Sequence, residues 1–225
     1  MKRFWYAAAA LALALAGLGA AKADVKKAAT EADTDKWVPI FNGKDLTGWE
    51  PGPADKAKWE VVDGILVGSG EAGHLYTVRD DYQNFRYRVE AMINDKGNSG
   101  QYFRVPEKVR GFPTVYEAQI NSTHSDPIRT GSLYPGGTFG RRLSPEDRKK
   151  ITVREQLHKP DEWFTQEVIA DDNHIVIKVN GKTTVDFVDQ NRTSMKGRFA
   201  LQQHNLGSVV KFRKIEVIEL PATAN

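Results

Sequence analysis

The sequence predicts an all-β protein built as a two-sheet antiparallel β-sandwich, or as a barrel, and three observations carry that prediction. Phe85, Tyr87, Val89, Ala91 and Ile93 alternate with Arg86, Arg88, Glu90 and Met92, the period-two pattern of a long strand with one buried face. Ile175, Ile177 and Val179 run into Asn180-Gly181 and on to Thr183, Val185 and Phe187. An Asn-Gly between two such runs marks a tight hairpin, because a type I′ turn needs positive φ at both central residues. Third, no segment after the first two dozen residues keeps a sustained helical period.

In chain order, Lys2 and Arg3 precede an apolar run from Phe4 to about Leu18, followed by Ala21-Lys22-Ala23. Charge, apolar core and A-x-A site are the parts of a secretory signal peptide over residues 1–23, and the apolar run is shorter than the ~20 residues that span a bilayer. Residues 24–36 are polar and rich in Ala, Lys and Glu, a flexible tether. Residues 37–221 then read as a single β domain. Its remaining strand candidates are Trp59 to Asp63, Ile65 to Gly68, Leu75 to Val78, Gln101 to Val105, Val115 to Asn121, Phe164 to Ala170 and Phe199 to His204. In the last strand Val210 and Phe212 share one parity and Ile215 and Val217 the other, which predicts a β-bulge near Arg213 or Lys214. Ser144 to Lys150 suits one helical turn, with Ser144 as N-cap and Pro145 first.

Composition narrows the function classes. The chain has 225 residues and a formal charge of +3, but residues 1–23 hold Lys2, Arg3 and Lys22 and no acid, so the remainder is neutral. A neutral chain without a concentrated basic run argues against nucleic acid as the main ligand. The absence of cysteine rules out disulfides, zinc thiolates and thiol catalysis. An exported domain of this size then rests on its core, which is large enough. The expected location is periplasmic or secreted, with no stable membrane insertion once the signal is removed; oligomeric state is left open.

Three strand segments carry unusual polar residues. By parity Asn98, Tyr102 and Arg104 share one face, Glu117, Gln119 and Asn121 share another, and Gln202 and His204 a third, while Tyr116, Ala118 and Ile120 turn inward. If these strands are neighbours in one sheet, the polar faces merge into a groove holding a guanidinium, a carboxylate, an imidazole and several amides. Such a set suits polyhydroxylated ligands and acid–base work. The plainer alternative is a solvated sheet face with an Arg104–Glu117 ion pair. Amides at Gln119, Asn121 and Gln202 weigh against it, because exposed strands favour Thr, Lys and Arg there.

Other chemistries lack their marks. P-loop, G-x-G-x-x-G, G-x-S-x-G and H-E-x-x-H motifs are absent. The five histidines, 74, 124, 158, 174 and 204, show no ligand spacing, which argues against a zinc site and leaves any metal ligands unknown. A divalent ion such as calcium, held by loop carboxylates and carbonyls, is compatible but unmarked. Asp161-Glu162 and Asp171-Asp172 read as turn residues, and the basic stretch with Arg141-Arg142 and Arg148-Lys149-Lys150 as a solvated face, the alternative being a lid over the groove. A two-carboxylate glycosidase is disfavoured, because the face of Glu117 continues with Gln119 and Asn121.

Several segments in order resemble one family. Phe41 to Trp49 (F-N-G-K-D-L-T-G-W), Trp59 to Leu66, Asn98 to Arg104, Tyr116 to Ile120 (Y-E-A-Q-I), Thr130 to Tyr134, Lys159 to Trp163, Gly197 to His204 and Phe212 to Leu220 are similar to the motifs of the 3-keto-disaccharide hydrolase family, long known as a domain of unknown function. The sequence departs from the family at Phe164, where Asn is usual, and over Pro135 to Lys150, where a short loop is expected. The resemblance implies a concanavalin A-like jelly roll and an exported bacterial protein that acts on sugars, in a family some of whose members cleave 3-keto-glycosides. A C3 ketone acidifies the C2 proton; a base removes it, the C1 substituent leaves, and water adds to the enone. That chemistry needs one base, one stabiliser of the enolate and one proton donor. On this reading Glu117, His204 and Arg104 are the catalytic candidates, with either Glu117 or His204 as base and Arg104 or a divalent metal as stabiliser. Asn98, Tyr102, Gln119, Asn121, Tyr134, Trp163 and Gln202 are the substrate-binding candidates, Tyr134 or Trp163 stacking on a sugar face. The alternative on the same fold is a non-catalytic carbohydrate-binding module.

Overall fold

The computed structural model describes residues 37–221. The expectations for residues 1–23 and 24–36 lie outside the described residues. Among the described residues, thirteen strands form two antiparallel sheets. The larger sheet contains β1 (Val38–Pro39), β3 (Ala57–Val62), β4 (Ile65–Gly70), β6 (Phe85–Ile93), β9 (Phe164–Asp171), β10 (His174–Val179), β11 (Lys182–Val188) and β13 (Val210–Glu219). Its order is β11-β10-β9-β6-β13-β4-β3, with β1 also on β13. The smaller sheet contains β2 (Trp49–Pro51), β5 (Gly73–Thr77), β7 (Asn98–Val105), β8 (Tyr116–Asn121) and β12 (Arg198–Gln203), in the order β2-β5-β12-β7-β8.

The local signals act as the side chains dictate. Strand β6 alternates buried and half-buried along its length. Asn180 and Gly181 have φ of 49° and 81°, the positive pair that closes the β10–β11 hairpin. The β13–β6 register slips between Arg213 and Glu216, with Lys214 at φ 47°, so the extra residue turns Ile215 and Val217 back to the core. Pro135 to Lys150, the stretch that departs from the family, folds into two short helices, α1 (Gly137–Arg141) and α2 (Pro145–Lys150). Ser144 Oγ caps α2 by accepting from Asp147 N at 3.1 Å, while α1 was not anticipated; it carries Phe139 into the core against Tyr116 and Phe187.

The core lies between the sheets. Tyr82 and Tyr87 stack on Phe199 at 4.1 and 3.9 Å, and Phe103 stacks on Tyr116 at 5.2 Å. Two buried amides pin one sheet to the other. Gln166 on β9 donates to Gln101 Oε1 on β7 and to the Ala118 carbonyl on β8, both at 3.2 Å, and Gln101 donates to the Tyr87 carbonyl on β6. Most buried polar groups in protein cores are bonded in this way. Phe164 lies in this core too, stacked on His158 at 3.9 Å. Strands β12, β7 and β8 are adjacent in the smaller sheet, with Ala200 opposite Tyr102 and Tyr102 opposite Glu117. The three polar faces therefore merge on its outer side.

Candidate functional site

A cavity of about 300 Å³ opens on the outer face of the smaller sheet. Its walls include Asn98, Tyr102, Glu117, Gln119, Tyr134, Gln202 and His204, seven of the residues singled out from sequence. Phe112 to Val115, Asp126 and the start of α1 complete it.

Glu117 sits on the floor. Gly100 lies in register with Gln119, diagonally across from Glu117, and a Cβ there would run into Glu117 Oε1 and lie only 2.9 Å from its Cδ. The glycine is what allows the carboxyl to fold over β7. With its amide nitrogen facing acceptors, Gln119 donates to Ser99 O at 2.9 Å and Glu117 Oε1 at 3.1 Å. Burial pushes the Glu117 carboxyl up to about 8, against a hydrogen bond from Tyr102 that lowers it and with the Asp126 charge raising it further. The group is therefore an acid with a proton to give at neutral pH. The Tyr102 hydroxyl also accepts from Gln202 Nε2 at 2.9 Å.

His204 follows the end of β12 and is half-buried. Its Nδ1 lies 2.9 Å from Asn205 Oδ1. The Asn205 amide nitrogen donates elsewhere, to Leu206 O, so Oδ1 accepts, the His204 proton sits on Nδ1, and the Nε2 lone pair is left for a base. His124 reaches His204 at 5.4 Å between ring centres and meets Asn98 Nδ2 at 3.4 Å. Asp126 N donates to His124 Nδ1, which places the His124 proton on Nε2. Burial and the neighbouring His204 hold His124 below its ordinary pKa. The Tyr134 hydroxyl donates to Asp126 Oδ2 at 3.1 Å.

Three expected site residues lie elsewhere. Arg104 has φ 52°, which breaks the alternation of β7: Phe103 stays in the core and Val105 joins Tyr102 on the outer face. The Arg104 guanidinium is buried and donates to the Gln83 carbonyl at 2.7 Å, the Asp172 carbonyl at 2.6 Å and Asn84 Oδ1 at 3.2 Å. It ties the β9–β10 turn to the segment before β6 and forms no pair with Glu117. Asn121 shares the face of Glu117 but holds the loop after β8, donating to the carbonyls of Asp126 and Ile128 and accepting from His124 N and Arg129. Trp163 lies under the Arg213 guanidinium at 4.1 Å, on the larger sheet.

Sequence reading missed Phe112, His124, Asp126 and His74. The histidines looked scattered, yet His74 and His204 both touch Phe112, at 5.6 and 5.4 Å. Asn-Ser-Thr-His-Ser-Asp directly after the Glu117 strand was the available signal for two of them. Among the described residues, no three His, Cys, Asp or Glu side chains gather as a metal-binding set. Also among the described residues, no helix is long and apolar enough to cross a membrane. The basic side chains of α2 lie away from the cavity; Arg148 bonds back to the carbonyls of Pro135 and Gly140.

The two antiparallel sheets form a sandwich of the concanavalin A-like jelly-roll type. Residues 36–218 match the family described as 3-keto-alpha-glucoside-1,2-lyase-like domain, and the chain belongs to that family. A curated relative, the 3-keto-disaccharide hydrolase of Bacteroides thetaiotaomicron, is 24% identical over 172 residues, covering 69% of this chain and 59% of the relative. The chain thus spans about three-fifths of that relative's length. A crystal structure from Parabacteroides distasonis ATCC 8503, provisionally described as a glycosyl hydrolase, is 25% identical with a TM-score of 0.62, covering 85% of this chain and 97% of that one. The carbohydrate binding module CBM66 of Bacillus subtilis shares the fold at 13% identity and a TM-score of 0.54, over 78% of this chain and 97% of that one.

Proposed function

We propose that this protein binds a 3-keto-glycoside in the cavity and cleaves it by elimination at C1 followed by hydration. The observation that carries the reading is Glu117, a buried carboxyl held up to about 8 in the same cavity as a histidine with a free Nε2. A module that only binds sugar has no need of a carboxyl raised so far, whereas proton-transfer catalysis does. Family membership and the name of the Bacteroides thetaiotaomicron relative support the substrate class.

His204 Nε2 takes the C2 proton, and the C2–H electrons delocalise onto the C3 oxygen as an enolate. The enolate then re-forms the C3 carbonyl and a C1–C2 double bond, and the C1–O bond breaks. Glu117 gives its proton to the departing oxygen. Water next adds across the double bond, hydroxyl to C1 and hydrogen to C2, releasing the 3-keto sugar. Asn98, Gln119 and Gln202 orient hydroxyls, and Tyr134, whose own hydroxyl is tied to Asp126, offers a ring to a sugar face. Arg104 has no part in these steps and serves the fold.

The reading includes export, with residues 1–23 as a signal peptide, 24–36 as a tether and 37–221 as the single working domain. The test is release of aglycone from a 3-keto-glucoside and from the unoxidised glucoside. Cleavage of the keto form alone is expected. Binding of both sugars without cleavage of either would instead establish a carbohydrate-binding module.

A further inference from the structure

With Arg104 committed to the fold, the enolate oxygen lacks an assigned donor, and the outer sheet face holds one. His74 on β5 stands directly opposite Gln202 on β12. Its imidazole is 1% exposed, and neither Nδ1 nor Nε2 has a hydrogen-bond partner. Gln202 Oε1 and Asn98 Oδ1, both on the cavity lining, are buried without partners as well. Each such orphan destabilises a fold, so several on one face point to a polar ligand that completes them. The His74 ring is packed edge-on against Tyr102 at 5.2 Å and Phe112 at 5.6 Å. Phe112 is the cover on the cavity side. It lines the cavity, is itself 48% exposed, and follows Gly111, which has φ 80° and open space on its Cβ side.

We propose that His74 is a catalytic residue that donates a ring N–H to the C3 oxygen of the bound keto sugar as that oxygen gains enolate charge, the sugar entering where Phe112 now covers the imidazole. This rests on the elimination reading above. Burial, with the nearby His204 adding to it, pushes the His74 pKa down to about 3, so the ring stays neutral with one N–H to donate. A neutral imidazole is an effective donor to a developing enolate because it gives up no proton of its own. A donor aimed at the transition-state oxyanion contributes about 10²–10³ in kcat and little to ground-state binding.

The test compares the full chain with H74A, H74F and H74Q on a 3-keto-glucoside carrying a chromogenic aglycone, with thermal melts to confirm folding. H74F keeps an aromatic ring in the packing and has no donor; H74Q keeps an N–H. The expected result is a kcat lower by about 10²–10³ in H74A and H74F with KM within a few-fold, and partial recovery in H74Q. In the wild type, the His74 ring 15N resonance should shift when 3-keto-1,5-anhydroglucitol, which has the ketone but no leaving group at C1, is added. A folded H74F with wild-type kcat, or a His74 resonance unmoved by that ligand while the wild type turns over the keto-glucoside, overturns the role of His74 and leaves the elimination reading standing. No turnover of the keto-glucoside by the wild type overturns both.

Discussion

Replacing Glu117 by Gln should stabilise the protein and silence it, and the size of the stabilisation follows from the site. The carboxyl ionises near 4.5 in the unfolded chain and near 8 in the fold, because burial, aided by the Asp126 charge, opposes its ionised form. The folded state therefore holds its proton while the unfolded state releases one. Stability falls as pH rises from about 4.5 to 8 and stops falling above that. At about 1.36 kcal/mol per pKa unit, the loss between pH 5 and pH 8 is about 3–4 kcal/mol. E117Q has the same shape and no proton to lose, so its advantage over the wild type should grow by that amount, or roughly 10 °C in Tm for a chain of this size. Paired thermal melts of both proteins from pH 5 to pH 8.5 measure it, and turnover on the keto-glucoside should fall about 100-fold or more in E117Q. Parallel stability curves would refute the reasoning, because they would mean that the carboxyl is already ionised in the fold. An active E117Q would remove Glu117 from the proton transfers.

Other expectations follow from the same geometry. G100A should displace the Glu117 carboxyl, lowering stability by ~1–3 kcal/mol and turnover far more, read by melts and kcat. R104M should unfold more easily by ~1–3 kcal/mol, because the buried guanidinium gives up its bonds to three partly buried acceptors, while the folded fraction keeps the wild-type kcat; a folded but inactive variant would return Arg104 to the site. With Glu117 as the proton donor, kcat should decline as pH rises through about 8; a profile flat to pH 10 would assign the donor elsewhere. The secreted chain should begin at Asp24, which N-terminal sequencing of exported material checks.

Much of this fold was written in local patterns. The alternation of β6, the Asn-Gly turn, the slip in β13 and the Ser144 cap each follow from a few neighbouring residues, and each took its expected form. The polar face of β8 was legible in the same way, and Glu117 and Gln119 reached the cavity. Parity failed where the backbone left the strand conformation. Arg104 at φ 52° ends the alternation of β7, and no pattern in its neighbours announces a left-handed residue. Asn121 was on the right face, but the loop it supports claims both ends of its amide. Trp163 suits a sugar platform by residue type, but the Arg213 guanidinium covers its ring. The grouping of His74, Phe112, His124 and His204 depends on β5 lying beside β12 and on the loops that follow β7 and β8. That order is a long-range property of the sheet, and residue spacing does not encode it.

The most direct test of elimination is cleavage of a 3-keto-glucoside in D2O, with product analysis by NMR and an enzyme-free control for exchange beside the ketone. Removal of the C2 proton and addition of water across C1 and C2 should place solvent deuterium at C2 of the released sugar, and the unoxidised glucoside should remain intact. Release of the aglycone with C2 still bearing its original hydrogen, or equal cleavage of the unoxidised glucoside, would contradict the account and point to direct displacement at C1.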